Sequence, residues 1–173
     1  MPRDDYHTRR LAEYDRRVAE FKQRGTFGAA VMLTALEEAA RGAREDEVPV
    51  GALVLCNDRV VGAGHNLPIA MRDPTAHAEI IAIRDACAYL GESRLDGASL
   101  YVTLEPCVMC VGALISARIA QVYYGARDDK AGALGSVYDL GRDGRLNHRV
   151  EVYGGIMAAE SAQLLREFFS RRR

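Results

Sequence analysis

The order in which helix-like and strand-like segments follow one another restricts the fold of this chain more than any other feature. Some segments place apolar residues every three or four positions, as amphipathic helices do, and others are short and rich in Val, Leu and Tyr, as strands are. This order predicts an α/β fold with a mixed sheet of about five strands and helices on both faces. The predicted helices cover residues 27–42, 75–90, 107–117 and 157–169, and the predicted strands cover residues 48–56, 60–64, 100–104, 119–124 and 150–153.

Turn-forming residues separate these segments. Asn57-Asp58 predicts a tight hairpin between the first two strands, and Gly42 and Gly91 are expected to end the helices before them. Residues 125–147 form a Gly- and Asp-rich loop, long enough that a functional role is the usual explanation.

The first 26 residues differ in composition from the rest of the chain. They are highly charged, and Leu11, Tyr14, Val18 and Phe21 follow one another at spacings of a narrow helical stripe. We interpret residues 1–26 as an N-terminal extension, helical or disordered, whose stripe is a docking surface, with a boundary at Gly25. Residues 27–173 are predicted to form a single domain.

Charge and hydropathy exclude several classes of protein. The longest apolar runs are too short and too interrupted to span a membrane, and the N-terminus has no secretory signal, so a cytoplasmic protein without a membrane partner is expected. The net charge of −1 gives no global basic surface, so any nucleic acid must be bound by local patches. The chain closes on three arginines, Arg171 to Arg173, whose simplest interpretation is a solvated helix end.

Two short motifs are expected to carry the chemistry. His77-Ala78-Glu79 and Pro106-Cys107-Val108-Met109-Cys110 each stand where a helix is predicted to begin, whereas Cys56 and Cys87 stand alone in apolar stretches. His77, Cys107 and Cys110 supply three ligands and leave one position of a tetrahedral zinc ion open, as catalytic zinc sites do.

Glu79 is the candidate base beside this site. Zinc held by two thiolates acidifies water less than zinc held by three histidines, so a nearby carboxylate is needed to remove the proton. Residues two apart on an ideal helix point about 200° away from each other. His77 and Glu79 can therefore serve one metal only if their helix meets the site with its first turn.

The combination H-x-E and P-C-x-x-C is the signature of zinc nucleobase deaminases. With the segments around it, the chain resembles the bacterial tRNA-specific adenosine deaminases of the zinc-dependent cytidine and deoxycytidylate deaminase superfamily, over roughly residues 28–170. The matching segments are 48–52, Asn66, 73–80, 100–110, 125–128, 132–136 and 147–150.

This resemblance implies a three-layer cytidine-deaminase-like fold, a homodimer, and hydrolytic conversion of the wobble adenosine of a tRNA anticodon arm to inosine with release of ammonia. It implies one zinc ion per chain on His77, Cys107 and Cys110, with Glu79 as the proton shuttle. Asn66 matches a residue that hydrogen-bonds the flipped base, and Asp128 a loop residue near the preceding nucleotide. Arg171 and Arg172 match, more loosely, phosphate contacts from a C-terminal helix.

Two other functions stay open from the residues alone. The same zinc site serves deaminases of free bases or nucleosides such as guanine and cytosine, and a non-catalytic zinc-binding interaction protein is a more remote alternative. Glu79 disfavours the latter, because structural zinc needs no base. Residues 132–136 lack the lysine of a phosphate-binding loop, so no nucleotide cofactor is expected.

Overall fold

The computed structural model of the chain describes residues 5–22 and 26–172. The helices are α1 (Asp5–Lys22), α2 (Phe27–Arg44), α3 (Pro68–Met71), α4 (Ala78–Leu90), α5 (Val108–Ser116) and α6 (Ala158–Ser170). The strands are β1 (Gly51–Cys56), β2 (Arg59–His65), β3 (Ser99–Leu104), β4 (Gln121–Ala126) and β5 (Glu151–Gly154).

The five strands form one mixed sheet in the order β2-β1-β3-β4-β5, which confirms the predicted architecture. Strand β1 is antiparallel to both of its neighbours, β2 and β3, and the pairs β3–β4 and β4–β5 are parallel. Asn57 and Asp58 form the two-residue turn of the β1–β2 hairpin, both with positive φ angles of 50° and 61°. Two positive φ angles are what a type I′ turn requires, and Asn and Asp tolerate them better than most residues.

Alternation along the strands divides the core between the two faces of the sheet. Ala52 and Val54 belong to the cluster packed by α4 and α5, whereas Leu53 and Leu55 belong to the cluster packed by α1 and α2. Helix α6 packs on β4 and touches α2. Helices therefore cover both faces of the sheet, as the sequence predicted.

Helix α1 is docked on the sheet. Leu11, Tyr14 and Val18 are buried in the same cluster as Leu53, as their spacing predicted. The Asp15 carboxylate also accepts a hydrogen bond of 3.1 Å from the backbone N–H of Val60 on the edge strand β2. The side chain of Phe21 and the predicted boundary at Gly25 lie outside the described residues. In the described part of the chain, no helix is both long and apolar enough to cross a membrane.

Two predicted helix boundaries were wrong. Gly42 lies inside α2, where a Cβ would approach 3.2 Å from the His65 ring, so this glycine permits close packing and does not end the helix. Thr75 does not begin a helix either. Its N–H and hydroxyl both donate to Asp73 Oδ1, which holds residues 73–75 in a turn and delays α4 until Ala78.

Candidate metal centre and catalytic site

The N-terminal ends of α4 and α5 meet beside the ends of β2 and β3 and carry the candidate ligands. His77 is the N-cap of α4 and has extended backbone angles, φ −74° and ψ 155°. Cys107 is the N-cap of α5, with φ −78° and ψ 174°, and Cys110 lies in the first turn of that helix. Helix N-termini stabilise thiolates through their free N–H groups and their dipole.

The three side chains predicted as zinc ligands converge. The Nδ1 atom of His77 lies 3.7 Å from Cys107 Sγ and 3.6 Å from Cys110 Sγ. All three ligand atoms lie within 4.8 Å of one another. Typical Zn–N and Zn–S lengths at tetrahedral angles place a nitrogen and a sulfur ligand about 3.6 Å apart. The triangle therefore has the size and the donor chemistry that zinc requires.

The three side chains also influence one another's protonation. The hydrogen bond between the two cysteines lowers the pKa of Cys107 to about 3, with a further contribution from His77, and it raises the pKa of Cys110. The hydrogen bond to Cys107 in turn raises the pKa of His77. A thiolate is thus already favoured at Cys107, and a metal ion would replace the protons that the other two groups hold.

Glu79 lies inside the protein next to this triangle. Its side chain is only 4% exposed, and burial raises its pKa to about 7, which the nearby charge of His77 opposes. His77 has an extended backbone and α4 begins only at Ala78. The side chains of His77 and Glu79 therefore do not have to point in opposite directions, as two residues of one helix at this spacing would. The imidazole and the carboxyl group can both face the site. A carboxyl group with a pKa near neutrality suits proton transfer in both directions.

Asn66 lies between β2 and α3 and is bound to the same helix end. Its Oδ1 accepts a hydrogen bond of 2.9 Å from the backbone N–H of Ala78, which fixes the orientation of the buried amide. The Nδ2 group is then the end of the side chain that can donate to a ligand. The structure thus places Asn66 beside the metal centre and gives it a helix-capping contact that the sequence did not indicate.

Asp128 belongs to a segment that we call the Asp128 loop, residues 127–136. Its Oδ1 accepts hydrogen bonds from the backbone N–H groups of Lys130 (2.9 Å) and Ala131 (3.2 Å). The loop pairs with the metal-ligand segment through an isolated bridge between Cys107 and Gly132. The structure therefore brings the Asp128 loop to the metal centre, although it lies about twenty residues further along the chain.

Arg171 and Arg172 lie at the C-terminal end of α6. They line a groove between α2 and α6, and Arg172 pairs with Asp46 at 2.6 Å and lies over the Phe168 ring. None of the candidate zinc ligands is among the described residues of that groove. Arg172 also lines a second groove together with Lys130 of the Asp128 loop. The C-terminal end of α6 and the Asp128 loop therefore border the same groove. Arg173 lies outside the described residues.

Sequence reasoning missed Glu105. Its side chain is 2% exposed, and its carboxylate accepts hydrogen bonds from three backbone N–H groups of the Asp128 loop and from the Ser136 hydroxyl. A glutamate between Leu104 and Pro106, at the end of a buried strand, was the available signal. A carboxylate at such a position must find hydrogen-bond donors, because burial without them is costly.

Comparison with known proteins agrees with this geometry. Residues 26–126 match the cytidine and deoxycytidylate deaminase zinc-binding region. The chain is 44% identical over 153 residues to the tRNA-specific adenosine deaminase of Haemophilus influenzae, with 88% of each protein covered. It is 46% identical over 142 residues to that of Agrobacterium fabrum, with 82% of this chain and 93% of the relative covered.

Solved structures show the same relationship. The chain superposes with a TM-score of 0.76 and 46% identity on a structure from a study of A-to-I editing by tRNA:A34 deaminases, covering 78% of this chain and 98% of the other. A guanine deaminase from Nitrosomonas europaea gives a TM-score of 0.70 at 29% identity, with 82% and 84% covered. The chain therefore belongs to the tRNA-specific adenosine deaminase family, within the cytidine and deoxycytidylate deaminase superfamily.

Proposed function

We propose that this chain is a zinc-dependent tRNA adenosine deaminase that converts the wobble adenosine of an anticodon loop to inosine. The observation that carries this proposal is the triangle of His77, Cys107 and Cys110 with the buried carboxyl group of Glu79 beside it, in a chain 41–46% identical to tRNA-specific adenosine deaminases. We also propose that the protein acts in the cytoplasm, where its proposed tRNA substrate is found.

The chemistry is a substitution at C6 of adenine, in which the oxygen of water replaces the amino nitrogen and ammonia leaves. When bound, zinc acts as a Lewis acid that makes a water molecule more acidic at neutral pH. Glu79 accepts one proton from the attacking water and delivers it to N1 of the base. It then accepts the proton of the new C6 hydroxyl and delivers it to the amino group, which leaves as ammonia when the C6–N bond breaks. Its burial suits this role, because a carboxyl group with a raised pKa both takes up and releases protons near pH 7.

Other side chains orient the RNA in this proposal. Asn66 donates from Nδ2 to the flipped base, since its Oδ1 is held by Ala78. Asp128 accepts from a ribose hydroxyl of the neighbouring nucleotide, because a carboxylate repels phosphates but accepts well from a 2′-OH. Arg171 and Arg172 contact phosphates, which adds affinity without base specificity. A base in an anticodon loop is already single-stranded, so its extrusion costs only a few kcal/mol.

We further propose one zinc ion per chain and a homodimer. Three protein ligands with an open fourth position support a catalytic metal.

Exposed apolar side chains close to the metal-ligand segments support self-association, in particular Ile69, Met71 and Val108. Metal analysis of the purified protein should give one zinc per chain, and sedimentation should give twice the chain mass. A structure with a fourth protein ligand would contradict the catalytic assignment.

Deamination of free guanine is the second candidate, because the Nitrosomonas europaea guanine deaminase shares the fold. Its lower identity, 29% against 46% for the tRNA deaminase structure, makes it the weaker of the two. The zinc-loaded protein should be assayed in parallel on an anticodon-arm hairpin and on free guanine. Inosine formation in the hairpin without loss of guanine supports the proposal, and the reverse result refutes it.

A further inference from the structure

The Glu105 carboxylate accepts hydrogen bonds from residues at both ends of the Asp128 loop. Its Oε2 accepts from the backbone N–H of Asp128 at 3.1 Å, and its Oε1 accepts from the N–H groups of Leu134 and Ser136, both at 3.0 Å. The Ser136 hydroxyl donates to Oε2 as well. These donors lie 23 to 31 residues away in the chain. One buried carboxylate therefore binds both ends of the loop.

Glu105 lies next to the metal-ligand segment. Glu105 is followed directly by Pro106 and Cys107, and the Pro106 carbonyl accepts a hydrogen bond of 2.8 Å from the Ala133 N–H. The loop lies so close to the carboxylate that a Cβ at Gly132 would be 2.5 Å from Glu105 Cδ. Glycine is therefore required at position 132. The loop is therefore joined to the segment of the candidate zinc ligand Cys107 by the Glu105 hydrogen bonds, by the Pro106 carbonyl and by close packing at Gly132.

We infer that Glu105 is a positioning residue that fixes the Asp128 loop against the metal centre and so sets the recognition of the RNA beside the reacting base. Glu105 does not touch substrate, since its oxygens are occupied by the loop and it is buried. It acts through Asp128, whose backbone N–H it holds directly. This inference rests on the proposed action on RNA.

The substitution Glu105→Gln tests it. The amide keeps the size of the side chain but replaces one acceptor oxygen by an NH2 group, which then faces backbone donors. Glu160→Gln, the same change at an exposed position of α6, is the matched control. The readout is the ratio of kcat/KM on an RNA hairpin to kcat/KM on the matched DNA hairpin, with zinc content and thermal unfolding measured alongside.

A double-mutant cycle with Asp128→Asn separates positioning from a general loss of stability. Asn keeps an Oδ1 acceptor for Lys130 and Ala131, so the turn is preserved. In the otherwise unchanged protein, Asp128→Asn should lower the RNA-to-DNA ratio by about tenfold, the value of one hydrogen bond to a charged group. In the Glu105→Gln background the same change should lower it by less than about twofold, because the loop is already released. Independent, additive effects would overturn the inference.

Two further experiments cover a Glu105→Gln protein that does not fold and a wild type that is inactive on RNA. Should Glu105→Gln fail to fold, Ser136→Ala, which removes one donor and keeps the carboxylate, replaces it in the cycle, and additivity with Asp128→Asn again refutes the inference. An inactive wild type on RNA would refute the proposed function and not the role of Glu105. Amide hydrogen exchange then decides that role. Faster exchange at Asp128, Leu134 and Ser136 in the variant, with β1 unchanged, supports it, and equal exchange overturns it.

Discussion

At the scale of single residues, metal binding and proton transfer fall to different side chains. His77, Cys107 and Cys110 form a triangle of zinc-binding size, and Glu79 contributes no atom to that triangle. The extended backbone at His77 is what lets two residues so close in sequence serve one site. Metal binding and proton transfer should therefore be separable by mutation.

The variant Glu79→Gln tests this separation. It keeps the shape of the side chain but removes the group that accepts a proton, so zinc content and fold should be unchanged while kcat falls by about 10²-fold or more. Metal analysis and single-turnover inosine formation are the measurements, with Glu160→Gln as the exposed control. Wild-type kcat in Glu79→Gln would show that another group moves the proton.

At the scale of elements, α1 belongs to the packed body of the protein. We propose that residues 1–26 extend the deaminase domain at residues 27–173, and that α1 stabilises that domain without entering the site. Leu11, Tyr14 and Val18 are 3%, 6% and 0% exposed. Asp15 in addition binds the backbone of the edge strand β2, which blocks a position where another chain could pair.

Leu11→Ala should therefore destabilise the fold by about 2–4 kcal/mol, the usual cost of removing a buried leucine side chain. The exposed change Arg16→Ala on the same helix is the control and should alter the free energy of unfolding by less than about 0.5 kcal/mol. Chemical denaturation gives both values, and the zinc content of the folded variants should be equal. A Leu11→Ala protein as stable as the wild type would show that α1 is only loosely attached.

Glu38 joins α1, α2 and β2 in one buried network. Burial alone would raise its pKa, but hydrogen bonds with His65 and Tyr14 and the charges of Arg10 and Arg41 lower it to about 2. The Tyr14 hydroxyl donates to Glu38 at 2.5 Å, and His65 Nδ1 lies 3.1 Å from it. His65 directly precedes Asn66 in the chain, so the network ends beside the site.

A carboxyl group whose pKa is lowered by folding stabilises the fold above its unfolded pKa and loses this contribution as the pH falls. Relative to wild type, Glu38→Gln should cost about 3 kcal/mol near pH 7, and the difference should shrink between about pH 4.5 and pH 2. Unfolding measured across this range checks it, with the exposed Glu13→Gln as control. A cost that is independent of pH would assign the effect to packing.

The sequence predicted the elements and the zinc ligands because both depend on local patterns. His77 and the two cysteines stand at helix starts that Pro, turn residues and apolar spacing mark within a few positions. Glu105 and the position of Gly42 inside α2 were missed because each depends on a group far away in the sequence. For Glu105 these groups are backbone donors of the Asp128 loop, and for Gly42 the group is the His65 ring. No local pattern shows which distant group will come within contact.

At the scale of the whole molecule, the net charge of −1 requires that RNA be held by local patches. The cationic end of α6 and Lys130 form one such patch around Phe169, with Arg166 and Arg172. A few phosphate contacts should give a shallow slope of about −2 to −4 in a plot of log affinity against log salt. Binding of an anticodon-arm hairpin at several salt concentrations measures it. A slope near −7 or steeper, equivalent to about ten phosphates, would contradict binding through patches.

Mapping inosine along a complete tRNA tests the proposed deamination of the wobble adenosine. A tRNA carrying adenosine at the wobble position is incubated with the zinc-loaded protein, and inosine is located position by position by sequencing, since inosine is read as guanosine. We expect conversion at the wobble adenosine, none at the other adenosines, and none with Glu79→Gln. Inosine spread over other positions, or an unmodified tRNA with a protein that deaminates free bases, would contradict it.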